Sequence, residues 1–109
     1  MAMEVKLRVN DVCLSASGGS YIARYHATLA ITDGAGETMI EVASTVPKDP
    51  DPTLLQATIE HIASGVDSVL QPRNQSAVMT IRDLVIHDVD CKPPRYKSAT
   101  VSELTRLLS

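Results

Sequence analysis

From Asp51 to Leu70 the apolar residues fall on one side of a helix. Leu55, Ile59, Ile62, Val66 and Val69 recur at spacings of four and three, while Gln56, Glu60, Ser64 and Asp67 turn toward water. The boundaries are equally legible. Asp51 is suited to cap the first turn and Pro52 to occupy its first position, and Pro72 ends the run. A helix striped on one side must lay that stripe on another layer. The Pro47-Lys48-Asp49-Pro50-Asp51-Pro52 stretch before it stops a sheet, because proline lacks the N–H a strand ladder needs.

That other layer reads as strands. Met3, Val5, Leu7 and Val9 alternate with Glu4, Lys6, Arg8 and Asn10, the period of a strand with one buried face. The phase slips at Asn10-Asp11, which predicts a bulge or bend there. Ser15 to Ser20 is a turn containing Gly18-Gly19. A second strand runs from Tyr21 to Thr32, with Tyr21, Ala23, Tyr25, Ala27, Leu29 and Ile31 on one face and Arg24, His26, Thr28 and Thr32 on the other. Asp33 to Gly36 reads as a hairpin connection. Thr38 to Val46 is a third strand with apolar residues on both faces, which points to a central position. Ala77 to Val89 is a fourth, its phase blurred at Arg82-Asp83. Cys91 to Lys97 is expected to be a loop fixed by Pro93-Pro94. A short final helix then starts near Thr100, with Thr100 and Glu103 as a capping pair.

The expected fold class is α+β: a four-stranded sheet with two helices on one face, in the order β-β-β-α-β-α. A crossover through the long helix would return the last strand parallel to the third. The 109 residues fit one domain, 1–109, large enough to form a core without disulfide or metal. That core must be aliphatic, since the chain has three Tyr and neither Phe nor Trp. The formal net charge of −3 argues against a general nucleic-acid binder, which needs a basic face. Lys92, Arg95 and Lys97 form the best local basic candidate in the sequence. With no leader-like or membrane-spanning run, the expectation is a cytoplasmic protein, no membrane partner, and reduced thiols at Cys13 and Cys91.

Candidate chemistry concentrates in His87-Asp88-Val89-Asp90-Cys91. Alternation puts His87 and Asp88 on opposite faces, with no nucleophile motif beside them, so a strand end outweighs acid–base catalysis. Asp88 and Asp90 share a face, yet two carboxylates fall short of the six or more oxygens a hard cation takes. No cysteine or histidine spacing suits zinc. Gly18-Gly19 is followed by a strand, without the pattern of a phosphate-binding loop. No metal or other cofactor is expected, and no catalytic set is assigned.

Several short motifs carry a resemblance. Ser17-Gly18-Gly19 ahead of a strand, Val46-Pro47 ahead of the long helix, Gly65-Val66 within it, His87-Asp88-Val89-Asp90, and Ser102-Glu103-Leu104 in the closing helix occur in this order. Together with the order of elements, this layout resembles domain IV of elongation factor G, which enters the ribosomal decoding region. The chain departs from that pattern in Ser20-Tyr21-Ile22-Ala23 after the turn, in the added Cys91–Ala99 segment, and in having no GTPase loop. The resemblance implies contact with ribosome or RNA through Gly18, Gly19, His87, Asp88 and Asp90, supported by Lys92, Arg95 and Lys97.

The functional expectation is a non-enzymatic binding or interaction module that associates with itself or another protein. The alternative is a ribosome- or RNA-associated factor. An enzyme or small-molecule binder using His87, Asp88, Asp90 and Cys91 ranks last.

Overall fold

The computed structural model describes residues 3–13, 21–34, 36–87 and 91–109. β1 (Met3–Cys13) and β2 (Tyr21–Asp33) pair antiparallel in one unbroken register, from Met3 opposite Ile31 to Cys13 opposite Tyr21. The bulge expected near Asn10 is absent. Asp11 occupies a core-side position and accepts a hydrogen bond from the Tyr21 hydroxyl at 3.3 Å, while Val12 faces outward, 45% exposed. A polar residue at the margin of the buried face thus imitates a phase slip.

β3 (Met39–Val42) does not pair with β2, so Asp33–Gly36 is not a hairpin turn. Gly34 has φ +111°, and its N–H donates to the Asn74 carbonyl at 2.8 Å. β5 (Gln75–Arg82) lies between the two strands, antiparallel to β2 and parallel to β3, giving the sheet order β1-β2-β5-β3. The expected parallel crossover is therefore present. β3 lies at the edge rather than the centre, which leaves Met39 68% exposed.

The third and fourth strands each divide. β4 (Thr45–Val46) pairs parallel with β6 (Leu84–Val85) in a separate two-stranded sheet. The switch occurs at Asp83, whose φ is +53° and whose N–H donates to Ser44 Oγ at 2.9 Å. That left-handed residue is the cause of the blurred phase at Arg82-Asp83. The end of the fourth predicted strand, 88–90, lies outside the described residues.

α1 (Pro52–Leu70) begins where the proline and cap predicted it, with Asp51 Oδ2 accepting from the Leu54 N–H at 3.3 Å. Its buried line is Thr58, Ile62, Gly65, Val66 and Leu70, and Leu55, Ile59 and Val69 flank it half-buried. Asp67, expected to face water, accepts from Thr38 N at 2.9 Å and Thr38 Oγ1 at 2.6 Å, which ties the helix to the start of β3. A 3-10 turn, Gln71–Arg73, closes the helix around Pro72.

α2 (Pro93–Leu108) starts well before the expected Thr100. Pro93 and Pro94 occupy its opening positions, where a missing N–H costs nothing and the fixed φ suits a helix. Cys91–Lys97 is therefore largely helix, and Thr100 is a buried interior residue rather than a cap. α2 crosses α1 closely: a Cβ added to Gly65 would lie 3.1 Å from the Lys97 carbonyl oxygen.

Both helices cover the sheet face carrying Leu7, Val9, Ala23, Tyr25, Ala27, Leu29, Ile31, Ala77, Met79 and Ile81, all buried. Ile62, Val66 and Leu70 from α1 and Tyr96, Ala99 and Leu104 from α2 complete the core. The architecture is α+β, as the patterning predicted.

Candidate functional site

Two regions hold the functional candidates: the end of the sheet where the start of β2 meets the first turn of α2, and the sheet face away from the helices.

At the first, sequence and topology converge on the tyrosines. β2 extends past the end of β5, and the first turns of α2 pack on this projecting part. The Arg95 guanidinium lies 4.4 Å from the centre of the Tyr21 ring, a cation–π contact at the base of the β1–β2 connection. Tyr25 and Tyr96 stack with ring centres 6.1 Å apart, and the Tyr25 hydroxyl is 2.6 Å from Thr100 Oγ1. The Tyr96 hydroxyl donates to the Val85 carbonyl and accepts from the Arg24 N–H at 3.4 Å. Burial pushes both phenols well above their ordinary range. Tyr25 and Tyr96 are fully buried, so they are structural and unavailable for stacking on a ligand.

The Cys91 N–H donates to the His87 carbonyl at 2.8 Å. Cys91 is a free, buried thiol whose Sγ is 3.4 Å from Thr58 Oγ1. Burial raises its pKa, opposed by the Thr58 hydrogen bond and the nearby Lys92 charge, so it lacks the depressed pKa of a nucleophilic cysteine.

The structure places the sequence-derived site residues as follows. Gly18, Gly19, Asp88 and Asp90 lie outside the described residues. His87 and Lys92 are exposed on the chain entering α2, and Arg95 lies over Tyr21. Lys97 does not join them. It is half-buried, with its backbone against Gly65 of α1. The helix from Pro93 onward turns Lys97 away from Arg95, because residues two apart point to opposite sides. An open cleft between β1 and α2 is lined by Val9, Asn10, Asp11, Ala99, Ser102 and Glu103, and neither His87 nor Cys91 is among its lining residues. Arg106 pairs with Glu103 and holds its carboxyl below the usual range.

The second region is the sheet face that a single helical layer leaves open, as expected, but the cation cluster on it was not legible in the sequence. On the sheet face opposite the core, the register sets Arg8 beside His26 and His26 beside Arg82, a row across three strands. Arg24 lies two residues along β2 from His26, and Lys6 two residues along β1 from Arg8. Lys6 and the three arginines are exposed, and His26 is half-buried. Farther along the same face are Glu4, Ala30, Val78 and Met39, paired in one row, with Val78 53% exposed. Neither helix covers any of these residues. The cations come from three strands far apart in sequence, so only the pairing of those strands reveals the cluster.

The geometry defines an α+β protein with helices on one side and an open sheet on the other. No family model and no curated protein matches the chain. Solved structures do, among them a crystal structure of a Thermus thermophilus protein, with TM-score 0.52 and 14% identity over 96% of this chain. This chain spans 15% of that protein's length. At such identity the likeness is one of fold alone.

Proposed function

We propose that this chain is a non-enzymatic binding module for a macromolecular partner. The observation that carries the reading is the uncovered sheet face, where alternate side chains of four strands stand clear of both helices. The buried hydroxyls of Tyr25, Tyr96, Thr58 and Thr100 are satisfied within the protein, which suits a scaffold role for the interior. Two occupants fit the open face. A second copy stacked on it would bring two Arg8–His26–Arg82 rows toward each other, and like charges across an interface are costly. An anionic partner meets no such penalty. Charge therefore favours the ribosome- or RNA-associated role that the elongation factor G resemblance implies.

Sedimentation velocity at micromolar concentration, together with co-sedimentation with ribosomes at low and high salt, tests the reading. The expected result is an 11.7 kDa monomer alone and a ribosome-bound fraction released by salt. A stable dimer without ribosome binding would replace the anionic partner with a second copy. A monomer that binds no ribosome at low salt would overturn the module reading.

A further inference from the structure

We infer that the corner of the uncovered face formed by Arg8, Arg24, His26 and Arg82 binds the phosphate backbone of single-stranded nucleic acid. The inference rests on the binding-module reading and adds the site and the ligand chemistry to it.

The charge distribution is the first argument. The open face carries Lys6, Arg8, Arg24 and Arg82 against Glu4 and Glu41, while the whole chain is −3. Neither carboxylate falls in the Arg8–His26–Arg82 row. Glu4 is four residues along β1 from Arg8, and Glu41 stands opposite Thr80 on the edge strand. Among the described residues, Lys6, Arg8, Arg24 and Arg82 take part in no ion pair. Arg106 and Arg95 differ, being engaged with Glu103 and Tyr21.

Energetics is the second. Like charges gathered on one sheet face repel one another, though weakly when, as here, no two stand directly opposite. Here the cations sit around His26 without an internal counterion, and a bound polyanion would relieve their repulsion.

Shape and composition decide the class of ligand. Strand spacing places Arg8 and Arg82 about 10 Å apart at their backbones, and Arg24 about 7 Å from His26 along β2. That footprint suits successive phosphates of one strand better than a lone ion. Both helices lie on the opposite side, so this face offers no helix to a duplex groove. It also presents no aromatic ring, since Tyr25 and Tyr96 are buried and Tyr21 shares their core-side face. Base stacking is thus missing, and recognition is electrostatic and independent of sequence.

Fluorescence anisotropy of a labelled oligouridylate across a salt series tests the site. Three to four neutralised phosphates give a slope of log K against log salt of about −2 to −3. Affinity should then fall roughly 20- to 50-fold between about 50 and 200 mM salt. Arg82→Gln should reduce the slope by about 0.7, and the triple variant Arg8→Gln, Arg24→Gln, Arg82→Gln should leave a slope no steeper than about −0.7. Lys48→Gln, in the loop before α1, should change neither affinity nor slope. Thermal melts of each variant check the fold, and removing exposed, mutually repelling cations predicts unchanged or slightly raised midpoints. Binding of oligocytidylate should match that of oligouridylate.

No oligouridylate binding at low salt overturns the inference, as does a triple variant with the parental slope. A slope that responds instead to Lys92→Gln with Arg95→Gln moves the contact to the loop end and also overturns it. Binding to phosphatidylserine vesicles without binding to oligouridylate would replace nucleic acid with an anionic membrane surface. Ribosome co-sedimentation that survives the triple variant, with no oligouridylate bound, sinks this site while leaving the module reading intact.

Discussion

Tyr25 and Thr100 show how a single contact joins distant parts of this chain. Their hydroxyls meet at 2.6 Å inside the core, across 75 positions of sequence. A buried hydroxyl that loses its partner costs about 1–3 kcal/mol. Tyr25→Phe should therefore destabilise the protein by that amount in urea unfolding. The double variant Tyr25→Phe, Thr100→Val should cost less than the two single changes added together, because it removes both polar groups at once. Additive single effects would show that the contact carries no coupling energy.

α1 is the element whose packing the sequence specifies best. Ile62 is fully buried on its sheet-facing line, whereas Glu60 is exposed two positions away. Ile62→Ala should cost about 2–5 kcal/mol, and Glu60→Ala less than about 0.5 kcal/mol. Equal thermal midpoints for the two variants would contradict this packing. The buried line is nonetheless rotated from the expected stripe toward Thr58, Gly65 and Leu70. Two layers compete for the helix. It faces the sheet on one side and α2 on the other, and glycine at position 65 eases that approach, since an added Cβ would lie a tight 3.1 Å from the Lys97 carbonyl oxygen. The start of α2 has the sequence signature of a loop, because paired prolines punctuate loops and begin helices equally well.

At the scale of the molecule, the long axis of 45 Å exceeds the other two, 26 and 19 Å, because β1 and β2 run on beyond β5. α2 covers that extension with its tyrosine contacts, and their ionisation makes the whole fold sensitive to alkali. Burial raises the Tyr25 and Tyr96 phenols above their ordinary 10.0 and the Cys91 thiol above 9.0. The sign follows from proton binding. As pH rises, the unfolded chain releases these protons first, so the folded state holds more of them and loses stability. Stability from these groups is fully present below about pH 9. Above about pH 10 it should fall by up to about 1.4 kcal/mol per pH unit for each buried tyrosine. With about 5–15 kcal/mol of total stability, the urea midpoint should drop steeply between about pH 10 and 11. A midpoint that holds through that range would show that the phenols ionise freely in the folded state.

The sequence alone determined the elements whose signal is local. The α1 stripe repeats every few residues, Asp51 and Pro52 mark its start, and β2 alternates over its full length, so each can be read without its neighbours. Even the α+β class follows, since two one-sided helices and several one-sided strands have few ways to bury their apolar faces. Tertiary structure decided whatever depends on pairing between segments far apart in sequence. Insertion of β5 between β2 and β3 turned an apparent hairpin into a crossover and moved β3 to the edge. Pairing of β1, β2 and β5 brought Arg8, His26 and Arg82 into one row. Alternation assigns each of these residues to a face, but it contains no information about which residue of another strand lies beside it. Cross-strand register supplies that, and it is fixed by the fit of the whole core.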